Sequence, residues 1–281
     1  MSEANDRRDC SAAELRAAIR VGVFSGPTAG LARGHVQTNV VILPADAADE
    51  FAEFCRLNPR PCPLVERLPP GDPRPMQSAP DADLRSDVPR YRVFRRGWLE
   101  ERESTDIRDL WRDDFVGFLL GCSFTFENAL LAAGLPVRHI DERRNVPMYR
   151  TNVACQPAGR FRGPLVVSMR PYLPAQVPQV REITGRYPTM HGAPIHVGDP
   201  TALGIVDLAR PDFGEAVRIA PGETPVFWAC GTTPQLALAG SNCDLAITHS
   251  PGCMFVTDLR DEDYCVMAPS QSTPARSPPS T

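Results

Sequence analysis

Four segments carry residue types that can do chemistry. Gly121-Cys122-Ser123-Phe124-Thr125-Phe126-Glu127 gathers a thiol, two hydroxyls and a carboxylate beside a glycine. Two helices are expected to meet there, the second opening on Ser123. Its free backbone N–H groups and positive dipole end would seat a carboxylate or phosphate. Cys122 at such a terminus could have a lowered thiol pKa; the bland alternative is that it packs as a small hydrophobe while Ser123 caps the helix. In the run Arg143 to Asn152, Arg150 and Asn152 alternate in phase on a strand around Thr151, so both would face one way. An arginine beside an amide can fix a carboxylate through two parallel hydrogen bonds, although a structural salt bridge uses the same residues. Arg170, at the end of a buried strand, is a second guanidinium of this kind. His191-Gly192-Ala193-Pro194-Ile195-His196-Val197-Gly198-Asp199, with distant His249, places imidazoles and a carboxylate in glycine- and proline-bounded turns, where rigid scaffolds carry reactive groups. His191, His196, His249 and Asp199 could run acid–base chemistry or ligate a metal, but their spacing matches no zinc pattern.

Composition narrows this list. All 30 basic residues of the 281 are arginine. Without a lysine amine there is no Schiff base to a carbonyl or to pyridoxal phosphate, and no Walker A phosphate loop. A net charge of −4 supplies no basic excess for nucleic acid. No apolar run approaches the roughly 18 residues of a membrane span, and the first eight residues lack the apolar core of a secretory signal. Nine cysteines without a Cys-x-x-Cys pair suit neither a disulfide framework nor a zinc knuckle. A cytoplasmic protein with reduced thiols is expected, with no nucleic-acid or membrane partner.

The elements that must position these groups follow from periodicity and punctuation. A helix is expected from Ser11 to Arg20, where Ser11 and Glu14 make a capping box. A strand over Val40 to Leu43 and a helix from Asp46 to Leu57 follow, then a long wrapped loop over 59–90. Tyr91 to Glu101 reads as a hairpin turning at Arg95-Arg96-Gly97. Ile107, Leu110, Trp111, Phe115 and Phe118 predict a helix from Asp106 to Leu120, broken at Gly121 and followed by another that Gly134 closes. The second half predicts a strand over Leu165 to Met169 and a helix from Ala175 to Tyr187. Short strands are expected over 195–198, 204–207, 216–219, 226–230, 246–249 and 254–257. The fold class is α/β: a mixed sheet layered with helices, with a second, smaller α+β lobe. Residues 1–10 are expected to be flexible, 11–265 to form one catalytic unit of two intimately packed lobes, and 266–281 to be a disordered Pro/Ser/Thr tail.

Taken together, these segments resemble the hydro-lyase family also called the D-glutamate cyclase family. The resemblance is carried by Gly34-His35-Val36-Gln37-Thr38-Asn39, Asn58-Pro59-Arg60-Pro61-Cys62-Pro63-Leu64, Asp106-Ile107-Arg108, Gly121-Cys122-Ser123-Phe124 and Asn145 through Asn152. It continues through Ser168-Met169-Arg170-Pro171, His191 through His196, Phe227-Trp228-Ala229-Cys230-Gly231 and Ile247-Thr248-His249. Together the motifs run in order from Gly22 to Asp258. Cys253 departs from the pattern, since the family usually carries a second histidine there. The resemblance implies a carbon–oxygen lyase that removes water from a small carboxylate or amino acid; its cyclase members close D-glutamate to 5-oxo-D-proline. Arg150, Arg170 or the Ser123 helix terminus would hold the acid. His191, His196 or His249 would move protons, with Glu127 or Asp199 orienting an imidazole. No cofactor is expected, and a homo-oligomer is allowed for. Two other readings stand beside this one: a metal-dependent hydrolase using His191, His196 and His249, and a non-catalytic regulatory protein that binds a carboxylate.

Overall fold

Ser11 starts the first helix as its spacing requires. Its hydroxyl accepts from the Glu14 amide at 3.2 Å, and the Glu14 carboxylate accepts from the Ser11 amide at 2.8 Å. This box caps α1, Ala12–Arg20, in the computed structural model, which describes residues 7–266. The remaining expected flexible N-terminus (1–6) and most of the expected tail (267–281) lie outside those residues. Residues 7 and 8 are held, because the Arg7 and Arg8 carbonyls accept from the amides of Ala32 and Arg33.

Along the chain follow β1 (His35–Pro44), α2 (Ala45–Leu57), β2 (Leu64–Arg67), β3 (Tyr91–Arg95), β4 (Trp98–Leu99) and β5 (Phe115–Gly121). Then come α3 (Phe124–Ala132), α4 (Arg138–Asp141), β6 (Met148–Ala154), β7 (Pro164–Tyr172) and α5 (Val177–Gly185). The last elements are β8 (His196–Val197), β9 (Thr224–Ala229), α6 (Thr233–Ala239), β10 (Leu245–His249) and β11 (Phe255–Arg260). The class is α/β, built on two sheets. The larger has seven strands in the order β2-β5-β1-β10-β3-β4, with β11 also paired to β1; the smaller is β6-β7-β9-β8. Every ladder is antiparallel.

The helix expected from Asp106 to Leu120 is instead a short 3-10 turn at Arg108–Leu110 followed by strand β5. All seven residues of β5 are buried, and they alternate between two cores. Val116, Phe118 and Leu120 pack under α2, whereas Phe115 and Leu119 pack under the 68–88 loop. A strand covered on both faces reads as a continuous apolar run, so Phe115 and Phe118 fall on a helical spacing by coincidence. The wrapped loop thus does the work of a helical layer, placing Leu68, Ala79, Ala82, Leu84 and Val88 against the sheet. The strands expected over 204–207 and 216–219 do not form. Ile205, Val217 and Ile219 pack on the outer face of the smaller sheet without pairing to it. The helix expected from Ala175 begins at Val177, after a 3-10 turn.

Across β7, Val166, Ser168, Arg170 and Tyr172 share one face, while Val167 and Met169 point to the other. The first face meets the larger sheet. Met148 and Val166 pack there with Cys122, Phe124, Cys230 and Met254. Among the described residues, no helix is long and apolar enough to cross a membrane. All nine cysteines are free thiols.

Candidate functional site

Gly121 ends β5 opposite Thr38, and a strand leads into α3 where two helices were expected to meet. A Cβ at Gly121 would stand 2.3 Å from the Thr189 carbonyl oxygen and 2.6 Å from Met190 Sδ. The turn carrying His191 therefore rests directly on this glycine. Gly121→Ala should destabilise the fold by about 1–3 kcal/mol through overpacking, read as a lower midpoint in urea with an unchanged slope. Asn39 reinforces the junction, its Nδ2 donating to the Gly121 carbonyl at 2.8 Å.

Ser123 does not cap α3: its side chain makes no capping bond. Its Oγ instead accepts from Arg170 Nη2 at 3.0 Å. The fully buried Arg170 also donates from Nη1 to Ser168 Oγ at 3.2 Å, and from both Nε (3.1 Å) and Nη2 to Glu127 Oε1. Its guanidinium lies over the rings of Trp228 and Phe126, at 5.3 and 5.5 Å from their centroids. On the other side of the same carboxylate oxygen, His139 Nε2 approaches to 3.2 Å, close enough for an ion pair but off the line of a hydrogen bond. Burial works to raise the Glu127 pKa; His139 and Arg170 outweigh it, so the carboxyl is held below its ordinary value. Glu127 Oε2, His139 Nδ1, Tyr172 OH and Thr125 Oγ1 are buried without a hydrogen-bond partner. The structure thus brings Ser123, Glu127 and Arg170 together in one buried centre.

His191 adjoins it. The left-handed backbone at this residue (φ 76°) turns the ring so that Nδ1 lies 2.6 Å from the Arg60 carbonyl oxygen. A carbonyl can only accept, so Nδ1 carries the proton and Nε2 keeps its lone pair. Arg60 returns the contact, its guanidinium donating to the Ala193 carbonyl. Burial depresses the His191 pKa to about 4, and the nearby Arg170 and Arg60 charges act the same way against the pull of the Arg60 carbonyl.

The other expected site residues lie elsewhere. His196 pairs with Phe227, which pairs with Met169, so it sits on the opposite face of the smaller sheet from Arg170. Its Nε2 is bonded to the Asp199 carbonyl at 2.7 Å. Exposed Asp199 accepts from the Thr201 amide and hydroxyl, capping a short turn. Arg150 is exposed and paired with Asp212 at 3.5 Å. Thr151 donates to the Leu165 carbonyl. Arg150 and Asn152 are both exposed on either side of buried Thr151, as the alternation requires; the β6–β7 register shifts between Arg150 and Ala154, and Asn152 packs against Gly204. Cys122 is buried beside Cys230, and burial pushes its thiol up, the reverse of the lowering expected at a helix terminus. Among the described residues, no three His, Cys, Asp or Glu side chains are grouped to hold a metal ion. The metal reading therefore loses its ligand set of His191, His196 and His249.

His249 has a structural task. Strand β10 pairs with β1 through Val41 and Ile42, and β11 pairs with it through Gln37 and Thr38. In the gap between them, the Val40 amide donates to His249 Nδ1 at 3.1 Å, so the imidazole replaces a missing rung. Burial lowers the His249 pKa to about 4. The native state therefore refuses a proton that the unfolded chain accepts below about pH 6.5. Stability from this residue is complete above that pH and lost as pH falls toward 4, by about 3 kcal/mol. Urea unfolding of wild type and His249→Gln at pH 7 and pH 4.5 should show the smaller acid loss in the variant.

Sequence reasoning passed over His139, Ser168, Tyr172 and Arg60. Ser168 and Tyr172 alternate in phase with Arg170, a signal present in the sequence. His139 had none, because only the return of α4 beneath α3 brings it to Glu127. A pocket of about 380 Å³ opens elsewhere, lined by Arg90, Arg92, Glu103, Phe213, Ser250 and Cys253 among others.

An α/β protein with a buried arginine–carboxylate–imidazole centre is thus defined, and known proteins place it further. The family model described as D-glutamate cyclase matches residues 116–258. A protein of Rubrobacter xylanophilus named "Putative hydro-lyase" is 61% identical over 253 residues, 90% of this chain and 97% of its own. A namesake in Bacillus licheniformis is 57% identical over 254 residues (90% and 97%), and one in Stutzerimonas stutzeri 56% over 260 (92% and 98%). The chain belongs to the D-glutamate cyclase family. Among solved structures, a nitrogen repressor-like protein of Methanococcus jannaschii aligns with TM-score 0.37 at 9% identity over 87% of this chain and 97% of that one, too slight a likeness to argue from.

Proposed function

We propose that the protein is a hydro-lyase for a small carboxylate or amino acid, and that it closes D-glutamate to 5-oxo-D-proline. The observation that carries this reading is His191: buried, neutral, fixed by the Arg60 carbonyl through Nδ1, and near enough to Arg170, which Ser123 helps to hold, for that charge to act on it. In the closure the substrate nitrogen forms a bond to its side-chain carboxyl carbon, and one carboxyl oxygen leaves as water. Two protons leave the ammonium and the departing oxygen takes up two, so the reaction is proton-neutral. A group that accepts a proton at one atom and returns it at another suffices, without a cofactor. His191 Nε2 serves as that relay. Ser123 Oγ, already accepting from Arg170, keeps its own O–H to donate to the leaving oxygen. Arg170 is a positioning residue here, since its three nitrogens are engaged with Ser123, Ser168 and Glu127. The relatives named hydro-lyases support the reaction class. The test is incubation of purified protein with D-glutamate, L-glutamate and small hydroxy acids, with loss of one water followed by mass spectrometry. D-Glutamate should be converted; a folded sample inert across the panel overturns the proposal.

A further inference from the structure

The arginines of this chain differ in how completely their donors are engaged. Around a surface depression of about 710 Å³, Arg20 pairs with Asp87 at 2.6 Å, Arg74 with Asp72 at 3.0 Å, Arg85 with Asp83 at 2.8 Å and Arg108 with Asp106 at 2.8 Å. Arg20, Arg74 and Arg85 each grip a carboxylate through both Nε and Nη2, and Arg108 makes one bond through Nη1. The pocket of about 380 Å³ is different. Arg90 uses Nε on the Ser25 carbonyl at 2.7 Å and comes only within 3.7 Å of Glu103. Arg92 reaches Glu103 at 3.3 Å and Gln235 at 3.5 Å, both long. A guanidinium has five N–H donors, so most of this pair's donors have no protein partner although both side chains line the cavity.

The surroundings suit an anion. The guanidinium carbons of Arg92 and Arg150 stand 5.9 and 5.7 Å from the Phe213 ring centroid. Arg90, Arg92, Glu103 and Asp212 are the charged residues of the pocket's lining; Asp212 is paired by Arg150 at 3.5 Å, which leaves Glu103 as the carboxylate that faces the two arginines. A carboxylate already sits against the pair: Glu103 contacts both arginines and accepts from Ser250 Oγ. The volume lies in the range of small-molecule pockets, about 300–1,000 Å³.

We propose that this pocket is a second binding site, separate from the Arg170 centre, that takes a small carboxylate on Arg92 and Arg90 in competition with Glu103. None of its lining residues belongs to the Arg170 centre, so it does not rest on the cyclase reading. A carboxylate would replace Glu103 like for like on the guanidinium fork.

The test is titration calorimetry of the full chain with glutarate and, separately, with inorganic phosphate. Glutarate should bind saturably and more tightly than phosphate. Arg92→Met should weaken glutarate at least 10-fold, Glu103→Gln should tighten it several-fold, and His191→Asn should leave it unchanged. Arg90→Gln, on a half-exposed side chain, should also weaken it, and serves if Arg92→Met does not fold. Absence of saturable binding, equal affinity in the Arg90 and Glu103 variants, or tighter phosphate binding overturns the proposal. Loss of binding in His191→Asn overturns the separateness of the site. Binding that persists in a protein without turnover leaves this pocket standing and removes the cyclase reading. Turnover without saturable glutarate binding does the reverse.

Discussion

His191→Asn should lower the turnover of D-glutamate by about 10²–10⁴-fold, the range typical of removing a proton-transfer group. Asparagine is the informative replacement because His191 has φ 76°, a left-handed conformation that asparagine adopts more readily than most residues. Its amide can also donate to the Arg60 carbonyl, so the turn over Gly121 should survive while the relay disappears. The melting temperature should then move little as the rate collapses. The pH profile supplies a second reading. An imidazole of ordinary basicity would begin to lose activity near pH 6.5 as it takes up a proton. His191, lowered to about 4 by burial, should keep kcat/KM level well below that pH. A His191→Asn enzyme with wild-type turnover, or an acid limb centred near 6.5, would remove His191 from the role. His196→Ala is the matched control. That ring lies on the far face of the smaller sheet, and its loss should leave the rate within a factor of two or so.

Arg170→Met should destabilise the protein by about 3–5 kcal/mol, because removing one partner of a buried ion pair leaves the other charged and alone. Here the abandoned groups are Glu127, held low in pKa beside His139, and the hydroxyls of Ser123 and Ser168. For a chain of this size the melting temperature should drop by roughly 10 °C. Arg170→Lys should recover little, since a point charge on a flexible stem cannot reach a carboxylate and two serines at once. The double variant Arg170→Met with Glu127→Gln should recover part of the loss, because no buried charge is then left unpaired. Calorimetry or urea unfolding of the four proteins settles the point: additive losses in the double variant would show that the two side chains are not coupled.

Much of this architecture was legible in the residues. Ser11 and Glu14 announced α1, the helix expected from Asp46 to Leu57 matches α2, and Arg96-Gly97 marked the β3–β4 turn. Strand β5 was not legible. Its neighbours on both faces make every position apolar, and that leaves no alternation to distinguish it from a helix. Of the site, Ser123 and Arg170 were visible as groups that hold an anion and Glu127 as a carboxylate that orients an imidazole, but their mutual contact depends on the pairing of β7 residues with α3. His196 and Asp199 looked equivalent to His191 because only four residues of chain separate the two imidazoles. The sheet face between them, which a linear sequence does not display, puts them apart. His139 illustrates the remaining limit: an isolated histidine in Val137-Arg138-His139-Ile140 has no local pattern to distinguish it.

The position of β1 has a consequence for how the chain is made. On one side β1 pairs with β5, which follows within about 80 residues; on the other its partners lie near the end, and Val40 meets His249 across 209 positions. At about 5–20 residues per second, a ribosome needs roughly 10–40 s to supply that second edge. Through this interval the Val40-Val41-Ile42-Leu43 edge waits unpaired, the kind of apolar strand border that recruits other chains. Yield in the cell should therefore depend more on what shelters that edge during synthesis than on the stability of the finished fold.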